Sequence, residues 1–244
     1  MKPSIQKFLD NPEVAQSFAN EFVAKLQRLS TTQDFITVSL SGGSTPKLLF
    51  QVLADQHAES VDWKKVHFFW GDERCVAPND PDSNYGEAYR LLLSKINIPS
   101  TNIHRVQGED DPVIEALRYE KEISTILALN KNNIPSFDIL ILGMGADGHT
   151  ASIFPHEIGF LDSERICEVA THPESGQKRI TITGKIINAS SCIYFLITGE
   201  SKAPILAEIL QESGNYRDYP TAHVAPEGEL FFFVDQSAAA LLDE

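Results

Sequence analysis

Short β-branched or aromatic runs alternate with longer amphipathic stretches, and the strand candidates are apolar along almost their whole length. Together these features predict an α/β fold, a Rossmann-like domain whose mainly parallel sheet carries helices on both faces. Residues 1–244 read as a single domain, because no repeat, low-complexity tract or Pro/Ser-rich linker interrupts them. A chain of this length buries roughly 70% of its extended surface in one core.

Residues 11–29 place Val14, Ala15, Phe18, Phe22, Val23, Leu26 and Leu29 at steps of three and four, the period of a helix. Phe35–Leu40 is a strand, followed by Ser41-Gly42-Gly43 and a helix starting at Thr45-Pro46. Thr45 is expected to cap that helix, with Pro46 as its first residue. Val66–Trp70 is a second strand, and 83–94 a helix with Tyr85, Ala88, Tyr89 and Leu92 turned inward. The next helix is 112–129, with Val113, Ile114, Ala116, Leu117, Ile123, Ile126 and Leu127 as its apolar face. Phe137–Leu142 is the most apolar strand. Arg179–Thr183, Ser191–Thr198 and Leu230–Val234 are further strands, with a helix at 202–212 and a terminal one from Ser237.

Charge and cysteine usage exclude several classes. With 20 Lys+Arg against 34 Asp+Glu the net charge is −14, which opposes a nucleic-acid-coating surface or an anionic membrane. No apolar run approaches the roughly 18 residues of a spanning helix. Residues 1–7 lack the apolar core of a secretory leader, so a cytoplasmic location is expected. Three widely spaced cysteines without CxxC suggest neither a disulfide framework nor a zinc knuckle. No metal, cofactor or obligatory protein partner is expected.

In doubly covered parallel sheets, ligands sit beyond the carboxyl ends of the strands. Three such loops are unusual. Ser41 to Pro46 has two glycines that let backbone amides approach a ligand, and a helix N-terminus suited to phosphate. It lacks the Gly-Lys-Ser/Thr ending of a nucleotide P-loop. Gly71-Asp72-Glu73-Arg74 puts charge at the mouth of a buried strand, where it must be paired or liganded. Arg74 can grip phosphate in a fork, and Asp72 can position a sugar hydroxyl; Asn84, in the helix cap downstream, can also face the cleft. The third loop, Gly143 to Pro155, starts as GxGxxG, yet Pro155 follows the third glycine by seven residues and prevents the long helix a dinucleotide site needs. Its glycines instead leave room for a substrate, and His149, beside Asp147, is the one histidine in such a setting.

Ser41–Pro46, Gly71–Arg74 and Gly143–Pro155 together resemble the 6-phosphogluconolactonase family, within the group that includes glucosamine-6-phosphate deaminase. Lys178–Thr181 and Gly199–Ala203 resemble later blocks of the same family. The resemblance implies hydrolysis of 6-phospho-glucono-1,5-lactone to 6-phosphogluconate in the oxidative pentose phosphate route, without a redox cofactor. The deaminase pattern has a glutamate five residues after the histidine, where this chain has Phe154, and tyrosine in place of Arg74. Both differences favour the lactonase. Near the last strand the family's Pro-Ala-Ser is replaced by Pro220-Thr221-Ala222. A hydroxyl contact there is either absent or supplied by Thr221. A non-catalytic phosphosugar sensor on the same scaffold is the remaining alternative.

In the mechanism expected from this reading His149 is the general base, since neutral imidazole is suited to taking a proton from water. Asp147 either orients His149 or binds a substrate hydroxyl. Amides of the glycine loop, Gly145 among them, are candidates for the oxyanion. Phosphate is held by Gly42, Gly43, Ser44 and Thr45, with Arg74 as the leading cation. Arg179 and Lys202 are further contacts, although basic residues at element starts are often simply solvated.

Overall fold

A computed structural model describes residues 3–242. The chain opens with β1 (Ser4–Phe8) and α1 (Asn11–Leu29). Asp10 caps α1 by accepting from the Glu13 amide, and the helix buries the face from Val14 to Leu26 that the periodicity predicts. Then follow β2 (Ile36–Leu40), α2 (Ser44–Gln56), β3 (Val66–Trp70), β4 (Asp72–Arg74), α3 (Asn84–Ala88), α4 (Pro112–Ile126) and β5 (Ile139–Leu142). The remaining elements are β6 (Cys167–Thr171), β7 (Lys178–Ile182), α5 (Gly184–Ala189), β8 (Cys192–Ile197), α6 (Ala203–Gln211) and β9 (Glu229–Asp235).

Six strands form one parallel sheet in the order β1-β9-β8-β5-β2-β3. Side chains alternate across it: Ile139 and Ile141 join the core packed by α1 and α2, while Leu140 and Leu142 join the core on the opposite face with α4 and α6. Both faces are therefore covered, as the uninterrupted apolar strands require. From β2 the chain grows outward to β3, then returns to the other side of β2 as β5 and grows away through β8 and β9. The β2/β5 junction is thus the point where the order reverses, where such sheets open a crevice at their carboxyl ends.

Arg179–Thr183 does not extend this sheet. As β7 it lies in a separate antiparallel sheet of order β4-β7-β6. The Gly71–Arg74 segment, read from its sequence as a loop, is largely β4, paired to β7 with Asp72 opposite Thr181 and Arg74 opposite Arg179.

Four local expectations need correction. Gly43, not Thr45, caps α2: its φ of 115° is the glycine region, and the helix starts at Ser44. Thr45 is buried with its hydroxyl 2.9 Å from that of Thr198, and Pro46 is the third helical residue. The helix expected over 83–94 is α-helical only to Ala88 and continues as a wider π turn over Tyr89–Leu93. The extra residue per turn buries Leu91, Leu92 and Leu93 in succession and leaves Tyr89 48% exposed. In α4, Val113, Ile114 and Leu117 face solvent, while Glu115, Ala116, Tyr119 and Ile123 are buried. Polar bonds set this phase: the Tyr119 hydroxyl accepts from Trp70 N at 2.8 Å and donates to Trp70 O at 2.9 Å, and Glu115 accepts from Gln107 N and Arg118. Buried donors at a strand end outweigh two or three exposed aliphatic groups. Finally, residues from Ser237 onward form turns rather than a helix, because Asp235 takes the Ala238 amide and also that of Gly199; positions 243 and 244 lie outside the described residues.

Candidate active site

The loops after β2, β3 and β5 meet at the topological reversal and enclose a cavity of about 270 Å³. It is lined by Gly42, Gly43, Asp72, Arg74, Gly145, His149, Arg179 and Lys202, together with Asn84 and Met144. Its volume falls just below the range usual for ligand sites, roughly 300–1,000 Å³. That suits one phosphorylated ring and is too small for a dinucleotide. Ser44 lines the adjoining cavity on the far side of Arg74, and Thr45 lies behind it, buried.

On the α2 side, no side chain caps the helix, and the first intrahelical amide is that of Lys47, which donates to Gly43 O. The amides of Ser44 and Thr45 stay outside the ladder, and no acidic residue occupies the first turn. This end carries the positive pole of the helix dipole.

On the β4/β7 side, Asp72 is buried and its Oδ2 accepts from the Ser152 hydroxyl at 2.7 Å, with Arg179 Nη1 3.9 Å away. Glu73 serves the scaffold: its carboxylate accepts from the amides of Asn84 and Tyr85 and from the Ser83 hydroxyl, which anchors α3. Burial raises its pKa, opposed by those amides. Asn84 Nδ2 donates to Asp72 O at 2.9 Å. Arg74 and Arg179 face each other across the antiparallel pair, an arrangement that is unfavourable for like charges. The Arg74 guanidinium bonds Asp82 O, while Nε of both arginines finds no partner among the described residues. Burial lowers the pKa of Arg179, with the Asp72 carboxylate opposing and Arg74 adding to the shift. Lys202 is shifted downward by burial as well, opposed by Asp147. Three cations thus line a cavity that supplies too few anions to neutralise them.

On the glycine-loop side, Asp147 Oδ1 lies 2.6 Å from His149 Nδ1 and also accepts the His149 amide at 3.1 Å. The sequence left open whether Asp147 reaches His149; it does so directly. Burial acts to raise the Asp147 pKa, but the hydrogen bonds and charge of His149 outweigh it and hold the carboxyl at about 2. An ionised carboxylate on Nδ1 keeps the proton there, so Nε2 is the nitrogen with a free lone pair. Gly145 makes the pair possible. A Cβ at that position would sit 2.1 Å from His149 Nδ1 and 2.5 Å from Asp147 Oδ1. Gly145→Ala is therefore expected to displace the imidazole and lower kcat by roughly 100-fold, as about 1 Å of misplacement does, with a melting temperature close to that of the parent; retention of full kcat in steady-state assays would show that the pair tolerates the methyl. The Gly145 amide itself donates to His149 O at 2.8 Å, so it is not a free oxyanion donor. Among the described residues the Met144 and Ala146 amides of the same loop carry no internal hydrogen bond.

Phe154 is buried, with its ring centroid 4.8 Å from that of His149 and the Arg179 guanidinium 5.6 Å above it. Sequence reasoning missed Ser152, whose hydroxyl orients Asp72; it lies inside the Gly143–Pro155 block, and only the fold brings it to β4. Thr221 supplies the hydroxyl in the Pro220-Thr221-Ala222 segment, but to the backbone: it donates to Gly148 O at 2.9 Å. Ala222 packs against the apolar core.

Residues 9–232 match the family described as glucosamine-6-phosphate isomerases/6-phosphogluconolactonase. The chain belongs to this family. Among its relatives, a 6-phosphogluconolactonase of Haemophilus influenzae is 49% identical over 85% of this chain and 88% of its own. One of a Nostoc species is 37% identical over 99% of both chains. The crystal structure of the 6-phosphogluconolactonase from Thermotoga maritima superimposes with a TM-score of 0.84 at 30% identity, over 96% of this chain and 100% of that one. Like those chains, this one is an α/β protein, and no helix among the described residues is long and apolar enough to cross a membrane.

Proposed function

We propose that this chain hydrolyses 6-phospho-glucono-1,5-lactone to 6-phosphogluconate, the ester hydrolysis of the oxidative pentose phosphate route, through a water activated by His149. One observation carries the reading: a single small cavity holds a histidine oriented by a carboxylate on one wall and, on another, three under-neutralised cations beside a helix N-terminus that no side chain caps.

A lactone needs a nucleophilic water, a stabilised tetrahedral oxyanion and a proton for the departing ring oxygen. His149 Nε2 takes the water proton as oxygen attacks C1, while Asp147 stabilises the imidazolium that forms. The oxyanion is met by the Met144 and Ala146 amides. The imidazolium then protonates the ring oxygen as the C1–O bond breaks, and the carboxylic acid product ionises to release one proton. Gly43, Ser44, Arg179, Lys202 and Arg74 hold the phosphate; Asp72, fixed by Ser152, takes a ring hydroxyl. Phe154 stands where a deaminase needs a proton-transferring glutamate and offers only an aromatic face. The three cysteines are free thiols, in keeping with the reducing cytoplasm where we place the reaction.

A pH-stat trace with the freshly made lactone tests this reading. Acid release well above the spontaneous rate, saturable in substrate, is expected. Thermal stabilisation by 6-phosphogluconate with no turnover would instead make the chain a sensor.

A further inference from the structure

We infer that Thr221 is a positioning residue for the His149–Asp147 pair, acting through the peptide plane between Gly148 and His149; this rests on the lactonase reading for its kinetic expression. Thr221 is 2% exposed and lies in the turn before β9, far from the glycine loop in sequence. Its backbone N–H and its hydroxyl both donate to the same acceptor, Gly148 O, at 3.1 and 2.9 Å. The hydroxyl also lies 3.4 Å from His149 O.

The carbonyl of Gly148 and the N–H of His149 belong to one rigid peptide unit and point in opposite directions. Two donors fixing the oxygen therefore aim the His149 N–H. That N–H meets Asp147 Oδ1 at 3.1 Å, the oxygen that also binds Nδ1 at 2.6 Å. The chain of contacts runs from Thr221 to the Gly148 carbonyl, across the plane to the His149 amide, and through Asp147 Oδ1 to the imidazole. At its other edge the loop is closed by Gly145 N donating to His149 O. The Thr221 hydroxyl touches neither the cavity wall that holds the cations nor any group placed on the phosphate, so its influence falls on the histidine alone.

Thr221→Val keeps the shape and the backbone donor and removes only the hydroxyl; Thr221→Ser restores it. For Thr221→Val, kcat is expected to fall about ten-fold, the size of one lost buried hydrogen bond that orients a reacting group. KM for the phosphorylated lactone should stay within about two-fold, and Thr221→Ser should return kcat to within about two-fold of the parent. Independently of turnover, proton NMR should show a downfield His149 Nδ1–H resonance in the parent and in Thr221→Ser that is lost or exchange-broadened in Thr221→Val. If the valine variant does not fold, Thr221→Ala takes its place against Thr221→Ser in both measurements. An unchanged Nδ1–H resonance, a kcat equal to the parent, or a serine variant as impaired as valine overturns the assignment. A parent chain that leaves the lactone at its spontaneous rate overturns the lactonase reading instead, while the resonance still decides the role of Thr221.

Discussion

Replacing His149 with alanine is expected to lower kcat for the phosphorylated lactone by about 1,000-fold, within the range that general-base catalysis contributes. KM should change by less than about three-fold, because the imidazole is needed only as charge develops on the attacking water. Little besides the base itself is lost with the ring. His149 keeps 26% of its side chain accessible and its aromatic contact is with Phe154, ring centroids 4.8 Å apart, so the packing that alanine gives up is centred on that contact. The loop that carries it is held through its backbone carbonyls, with Gly145 N donating to His149 O and the Thr221 amide and hydroxyl donating to Gly148 O, which alanine retains. Asp147 would lose its partner but is 42% exposed and can be hydrated. The melting temperature should therefore shift little while turnover collapses. Stopped-flow pH-indicator kinetics, corrected for spontaneous opening of the lactone, measures both constants. A variant with more than about a tenth of parental kcat would remove His149 from the base role and leave the oxyanion donors and binding to account for the rate.

The strands were legible in the sequence for a plain reason. β2, β3, β5 and β8 are buried on both faces, so each is a near-continuous apolar run, and the loops that follow are where chemistry-bearing residues fall in such a sheet. Strand pattern and the loops that follow the strands therefore located Gly42, Gly43, Asp72, Arg74, Gly145 and His149, all of which line one cavity. The second sheet was not legible. β4 is Asp-Glu-Arg, which carries no strand signal, and it pairs with a segment more than a hundred residues later. The phase of α4 was misread because apolar counting ignores the Tyr119 hydroxyl, whose two bonds to Trp70 decide which face turns inward. The direct Asp147–His149 bond was hidden by sequence proximity: residues two apart rarely face each other unless the backbone folds back, and here a glycine at 145 gives them the space. The amide of Gly145 was misassigned for the same reason, since its bond to His149 O exists only once the loop has closed.

Arg179→Ala is expected to cost about 100-fold in kcat/KM on 6-phospho-glucono-1,5-lactone and less than about three-fold on unphosphorylated gluconolactone, since a buried charge-assisted bond to phosphate contributes roughly 3 kcal/mol. The sequence favoured Arg74 for this role; we propose that Arg179, across the ladder from it, contributes more. Arg74 already gives its guanidinium to Asp82 O. Arg179 has 12% of its side chain exposed, a carboxylate no closer than 3.9 Å, a second arginine directly across the ladder and an Nε without a partner. Its nearest carboxylate, Asp72 at 3.9 Å, also accepts from Ser152 and leaves the two facing arginines short of one anion, which is destabilising. A phosphate dianion beside the free amides of α2 resolves the repulsion between the two arginines and supplies the missing acceptor. The same imbalance predicts the direction of a control: inorganic phosphate should raise the melting temperature of the parent more than that of Arg179→Ala, because the site binds the ion only when folded. Equal losses on the phosphorylated and unphosphorylated lactones would place Arg179 against the sugar ring rather than its phosphate. An unchanged kcat/KM would leave Lys202 and the helix amides as the phosphate site, with Arg179 held over Phe154 for packing alone.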